Sequence, residues 1–323
     1  MTTRFIQYCG TLIAMICALN PAWAQDVIDE TSIPATSVLQ EFAIDRSDRM
    51  TVLVQVNGSA AVPFIVDTGS ERTVIANDLA KRLLLEAGPK LTLATISGRT
   101  VVNSFFIDTL TTSSVKLEGF EAPGLDRSNL GAYGLLGIDS LEDNRVLLDF
   151  ARQTMDVLPS PKGRGKSKLE RGMIVVTATK RAGRMIISTA KIDGMRVEII
   201  LDTGAQSSMG NTALRDRLRR RHRTIDYIPV TMRSVTGSTL AGEYTQLQKI
   251  EVGGLTINDL PVTFSDNYAF TALKLQDKPA ILLGMDALQL FDRVMIDFGN
   301  RRVGFDLPSG VERKSTDRLA LAN

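Results

Sequence analysis

Apolar residues along this chain come in short runs rich in Val, Ile and Leu, broken by Gly, Asn and Asp. That pattern predicts a mostly β protein. Two turn pairs, Asn57-Gly58 and Asp193-Gly194, each precede a strand-like run, as a hairpin would read. The runs Phe64-Ile65-Val66 and Ile199-Ile200-Leu201 end in Asp67-Thr68-Gly69-Ser70 and Asp202-Thr203-Gly204-Ala205. After each, a leucine pair at i, i+4 spacing predicts a short helix: Leu79 with Leu83, and Leu214 with Leu218.

The same features recur in the same order, which argues for a duplicated domain. Thr73 and Ser208 stand at matching positions beyond the two aspartates. Leu135-Leu136-Gly137-Ile138-Asp139 pairs with Leu282-Leu283-Gly284-Met285-Asp286. Arg145–Phe150 pairs with Arg293–Phe298, and each copy closes at a Leu-Pro, Leu158-Pro159 or Leu307-Pro308. One lobe is therefore expected over residues 38–158 and the other over 172–308. The Pro-, Gly-, Ser- and Lys-rich stretch 159–171 between them reads as an exposed linker.

Composition narrows the chemistry. The chain of 323 residues carries a formal charge of +2, one histidine (His222) and two cysteines (Cys9 and Cys17). A His- or Cys-rich zinc site is excluded, and a histidine-based triad would have to use His222. No metal or cofactor is expected; carboxylate chemistry stays open. Charge is unevenly placed: the first lobe has 11 basic and 16 acidic residues, the second 18 and 14.

The first 24 residues carry Arg4, an apolar centre from Phe5 to Leu19, and the small-x-small triplet Ala22-Trp23-Ala24. This is the pattern of a secretory signal peptide cleaved after Ala24, with export to the periplasm or beyond as the consequence. The apolar stretch is shorter than the ~20 residues a spanning helix needs, and no later stretch is long and apolar enough. Both cysteines would leave with the leader, so the mature chain needs no disulfide.

The paired motifs resemble those of the retropepsin-like and pepsin-like aspartic proteases. The resemblance rests on the two Asp-Thr-Gly loops and the apolar-Gly elements ending at Gly137 and Gly284, and it covers about 270 of the 323 residues. The closest description is a bacterial-type retropepsin fused to its own duplicate. It implies an all-β protein of two homologous β-barrel lobes with a pseudo-twofold axis and a cleft between them. It further implies that Asp67 and Asp202 form the catalytic pair, with Thr68 and Thr203 bracing the loops across the axis. Gly69 and Gly204 would leave room for the carboxylates, where any Cβ would crowd. Two adjacent carboxyls cannot both ionise cheaply, so they share a proton, the behaviour this family's dyads exemplify. Ser70 and Ala205 break the symmetry, and a hydroxyl beside Asp67 would favour its ionised form.

Two further hairpin tips, Ser97-Gly98-Arg99-Thr100 and Thr236-Gly237-Ser238-Thr239, are candidate flaps over the cleft, with Gly98 and Gly237 at their tips. Asp139 and Asp286 are expected to cap a following turn. Asp149 and Asp297 precede a hairpin turn and read as structural. The basic run Arg215, Arg217, Arg219, Arg220, Arg221 and Arg223 reads as the solvated face of the helix carrying Leu214 and Leu218. Its sharper alternative is contact with an anionic surface. A nucleic-acid role is not expected from a nearly neutral domain without interleaved aromatics. The reading is thus an exported aspartic endopeptidase that binds an extended peptide as a monomeric pseudo-dimer. A non-catalytic peptide-binding module on the same fold is the alternative.

Overall fold

The computed structural model of the chain describes residues 39–41, 43–44, 49–113, 115–141, 144–161, 172–182, 184–222 and 225–308. The leader expected over residues 1–24, most of the linker and Arg223 lie outside them.

Two eight-stranded sheets have the same strand order. In the first lobe, Met50–Val56 turns at Asn57-Gly58 into Val62–Val66. Both turn residues have positive φ, 49° and 71°, and the equivalent Asp193-Gly194 has 50° and 72°. This is the twist that matches two-residue hairpins. Val62–Val66 then pairs in parallel with Gly134–Leu136, which pairs antiparallel with Val74–Ala76. The long hairpins Ala87–Thr95, Gly98–Thr111 and Lys116–Leu125 complete the sheet. It closes on itself where Val56 meets Leu110. The second lobe repeats this with Arg184–Ile192, Met195–Leu201, Ala280–Leu283 and Met209–Gly210, and closes where Ile192 meets Ile250. Alternation along Met50–Val56 buries Val52, Val54 and Val56 and turns Leu53 and Gln55 outward, as a closed barrel with an apolar interior requires.

The predicted helices are Asn77–Arg82 and Thr212–Arg221. Asn211 caps the second, its side chain accepting from the Leu214 N–H at 2.9 Å. Leu214 and Leu218 are buried. Arg215 and Arg219 both bind Glu243 at 2.7 Å, and Arg221 donates to the Asp193 carbonyl at 2.6 Å. Arg217 and Arg220 are exposed.

A third sheet joins the lobes. Its six strands run Leu39–Glu41, Thr154–Pro159, Asn144–Asp149, Arg293–Asp297, Arg302–Asp306 and Ile174–Thr177. The two central strands come from different lobes and pair with Arg145 opposite Asp297, Leu147 opposite Met295 and Asp149 opposite Arg293. That register is its own image under a twofold through Leu147 and Met295, so the duplicated Arg…Asp segments serve as each other's partners. Val146, Leu148, Val294 and Ile296 are fully buried beneath it, each contributing ~1.5–3 kcal/mol. Asp149 and Asp297 accept from the N–H groups of Arg152 and Asn300 at 2.9 and 2.8 Å, closing the turns that follow. Residues 159–161 differ from the linker reading. Pro159 ends a strand, and the Ser160 hydroxyl donates to Asp297 at 2.6 Å.

Candidate active site

Each Asp-Thr-Gly loop is suspended between two strands that a third separates. Asp67 follows Val62–Val66, and the chain returns as Val74–Ala76 with Gly134–Leu136 between them. Main-chain bonds fix the start of each loop: Asp67 N–H donates to Leu136 at 3.0 Å and Asp202 N–H to Leu283 at 3.1 Å. The crossing strand ends in glycine for a steric reason. A Cβ on Gly137 would overlap the backbone of Arg72 and Thr73, and one on Gly284 the backbone of Ala205 and Ser207.

Asp139 and Asp286 do not occupy the expected capping position, which Gly137 and Gly284 take. Instead they reach back under the loops. Asp139 accepts from the Thr73 hydroxyl and N–H at 2.8 and 2.9 Å, and Asp286 from those of Ser208 at 2.6 and 2.9 Å. The same hydroxyls accept from the N–H of Gly137 and Gly284 at 3.2 and 3.1 Å. Both are fully buried, so each bond made here avoids the cost of an unpaired polar group. The recurrence of Thr73 and Ser208 at matching positions was the sequence trace of this brace. The carboxylate partner was not legible, because it lies more than sixty residues away.

The loops meet across the pseudo-twofold. Thr68 and Thr203 are buried, and each binds the other and the strand that precedes the other. The Thr203 hydroxyl donates to the Val66 carbonyl at 2.6 Å and accepts from the Thr68 N–H at 3.0 Å. The Thr68 hydroxyl donates to the Leu201 carbonyl at 3.3 Å and accepts from the Thr203 N–H at 3.1 Å. Gly69 faces the Asp202 carboxylate and Gly204 the Asp67 carboxylate, each so closely that a Cβ would overlap it. Asp67 and Asp202 thus face one another across the axis, each carboxylate packed against the other loop's glycine.

The dyad is not symmetric. Asp202 Oδ1 accepts two N–H groups, from Gly204 at 3.0 Å and Ala205 at 3.2 Å. Asp67 Oδ1 accepts one, from Gly69 at 2.8 Å. The Ser70 hydroxyl, expected beside Asp67, donates instead to the Arg72 carbonyl at 2.7 Å. Burial first, and then the neighbouring Asp202, push the Asp67 carboxyl from 3.8 up to about 8, against the opposing pull of the Gly69 N–H and Arg184. Burial and the neighbouring carboxyl thus favour the protonated form of Asp67 over its ionised form. The leaning toward an acidic Asp67 is therefore reversed, because Ser70 turns into its own loop.

Arg184 was not singled out by sequence reasoning. It lies on the second lobe, yet its Nε donates to the Gly69 carbonyl of the first at 2.5 Å, with Glu71 at 3.8 Å. A signal existed: Arg49 and Arg184 both precede their aspartate by eighteen residues. Arg49 donates to the Leu130 carbonyl at 2.6 Å.

A cleft of about 980 Å3 opens over the dyad. Both candidate flap hairpins line it. In the first, the chain reverses at Ile96-Ser97, and Gly98 begins the returning strand opposite Thr95 with φ +129°. In the second, Gly237 lies within the turn with φ +84°, its N–H donating to Ser234 at 2.9 Å. Each of these hairpins reaches the opposite lobe. The Ile96 carbonyl accepts from the Tyr268 N–H at 3.0 Å, and the Ile96 side chain packs on the cluster of Ile186, Met209, Phe270 and Leu282. Arg233 donates to Asn129 Oδ1 at 3.0 Å.

Two opposed carboxyls at the floor of a two-lobed β cleft define an aspartic-protease type of site. The family model for aspartyl protease matches the chain twice, over residues 52–140 and 188–287, and the chain belongs to that family. No curated protein matches it. The fold is two retropepsin-like lobes, and membership carries with it a protease-type function on peptide substrates. Among the described residues no helix is long and apolar enough to cross a membrane.

Proposed function

We propose that the chain is an exported aspartic endopeptidase that cleaves extended peptides with Asp67 and Asp202. The observation that carries the reading is the pair of carboxyls, each set against the opposite loop's glycine, on loops that brace each other across the axis. Asp202, ionised, takes a proton from a water as its oxygen attacks the scissile carbonyl carbon. Asp67, protonated, donates its proton to the carbonyl oxygen. The resulting diol collapses when Asp202 returns its proton to the amide nitrogen, the C–N bond breaks, and Asp67 recovers a proton from a diol hydroxyl. Acid–base help of this kind contributes ~10²–10⁴ in rate. Thr68, Gly69, Ser70, Thr203, Gly204 and Ala205 hold the pair in register. Flaps around Gly98 and Gly237 would cover a substrate strand that pairs with them. One chain supplies both halves, so the active species is a monomer. Residues 1–24 act as its export leader.

The test is cleavage of a proteome-derived peptide library by the secreted chain, beside Asp67→Asn and Asp202→Asn. Its intact mass should begin at Gln25, and it should elute as a single chain. Each substitution should lower cleavage by at least ~10²-fold without unfolding the protein. Full activity in either variant would remove the dyad mechanism. No cleavage by wild type would favour the peptide-binding module.

A further inference from the structure

The charge lining the cleft is unlike that of the lobes that form it. Five arginines face it: Arg49, Arg72, Arg99, Arg184 and Arg233. Apart from the dyad, Glu71 is the sole carboxylate among the lining residues, and there is no lysine. Composition does not explain this. The first lobe has five more acidic than basic residues, yet it contributes Arg49, Arg72 and Arg99 to the cleft.

Two of the five serve the frame. Arg49 and Arg184 are largely buried and donate to the Leu130 and Gly69 carbonyls. Arg72, Arg99 and Arg233 are exposed, and none forms an ion pair with a carboxylate among the described residues. Arg99 lies 5.9 Å from the Tyr268 ring centroid, and Arg233 binds the neutral amide of Asn129. They also come from three separate segments of the cleft lining. Arg72 is on the first catalytic loop, Arg99 follows the turn of one flap, and Arg233 precedes the turn of the other. Long cations on a loop and on both hairpins thus line one cleft with the dyad. Guanidinium matches carboxylate in shape as well as charge, and a walled cleft focuses the field of such charges.

We propose that this cleft selects acidic peptides, with Arg72, Arg99 and Arg233 recognising Asp or Glu side chains that flank the scissile bond. The inference rests on the endopeptidase reading for the strand's position, but it is read by binding, which needs no turnover. Three short peptides share one apolar centre and carry Glu, Gln or Lys on both flanks. Their affinity for the full-length mature Asp67→Asn chain is measured by fluorescence anisotropy at low and high salt. Glu should bind more tightly than Gln by about tenfold per matched carboxylate, the scale of a charge-assisted hydrogen bond, and Lys should bind most weakly. Raising the salt should shrink the spread. Arg72→Gln, Arg99→Gln and Arg233→Gln should each reduce the Glu-to-Gln ratio, and the matching Lys variants should keep part of it. Equal affinity for the three peptides, a preference for Lys, or no binding of any of them overturns the proposal. Acidic preference in binding with no cleavage by wild type would leave it standing and defeat the endopeptidase reading instead.

Discussion

The two lobes share a strand order, a loop motif and a brace, yet their Asp-Thr-Gly loops are not equivalent. The second-lobe loop gives its aspartate two backbone donors, whereas the first gives one. The first-lobe loop receives an arginine from across the axis on the Gly69 carbonyl, with Glu71 beside it; Gln206 stands at the place of Glu71 in the second. The grip between the loops is also uneven, since Thr203 bonds Val66 at 2.6 Å while Thr68 bonds Leu201 at 3.3 Å. Symmetry in the frame places two carboxyls together. The hydrogen bonds around the two carboxyls are not symmetric, and burial beside Asp202 raises the Asp67 carboxyl.

Glycine-to-alanine changes test that inequality most severely. Gly69→Ala and Gly204→Ala each drive a methyl into the opposite carboxylate. Displacing a reacting group by ~1 Å costs on the order of 10²-fold in rate. Gly69→Ala should be the worse of the two, because it collides with Asp202, which two N–H groups hold in place. Steady-state cleavage rates decide the order, and a worse Gly204→Ala would reverse the assignment of the base.

The threonine grip offers a smaller effect. Thr203→Val strands the Thr68 N–H and weakens the environment of the Val66 carbonyl, at ~1–3 kcal/mol for a buried group left unpaired. Thr68→Val should cost less, because the bond it removes at Leu201 is the longer one. Urea unfolding of the two variants compares them, and equal losses would mean the grip is symmetric in energy.

The pH dependence of stability gives the smallest change per step. Between 3.8 and about 8 the folded chain keeps on Asp67 a proton that the unfolded chain has released. Raising pH through that window therefore favours unfolding, by up to ~1.4 kcal/mol per pH unit. The stability is fully present below the lower value and lost by the upper one. Asp67→Asn has no proton to lose, so its melting temperature should fall less across the window than that of wild type. An unchanged slope would place the raised group elsewhere.

Much of this was readable in the chain. The Asp-Thr-Gly duplication, the Asn57-Gly58 and Asp193-Gly194 hairpins, and the leucine pairs of the two helices are local patterns. Backbone geometry turns such patterns into structure within a few residues. Even the meeting of the two Asp-Thr-Gly loops followed, because two copies of a half-site imply a twofold between them. Tertiary structure alone decided how the copies engage. The six-stranded sheet pairs Arg145–Asp149 with Arg293–Asp297, a contact between segments nearly 150 residues apart that no local signal encodes. Ser70 and Ala205 differ visibly in sequence, but only packing revealed that the Ser70 hydroxyl turns to Arg72 and that burial beside Asp202 raises the Asp67 carboxyl. Arg72, Arg99 and Arg233 are unremarkable along the chain and become a common wall only when loop and flaps converge on the cleft. Residue type and spacing determine which groups can form; direction and distance between remote groups set their charge states, and these exist only in the folded chain.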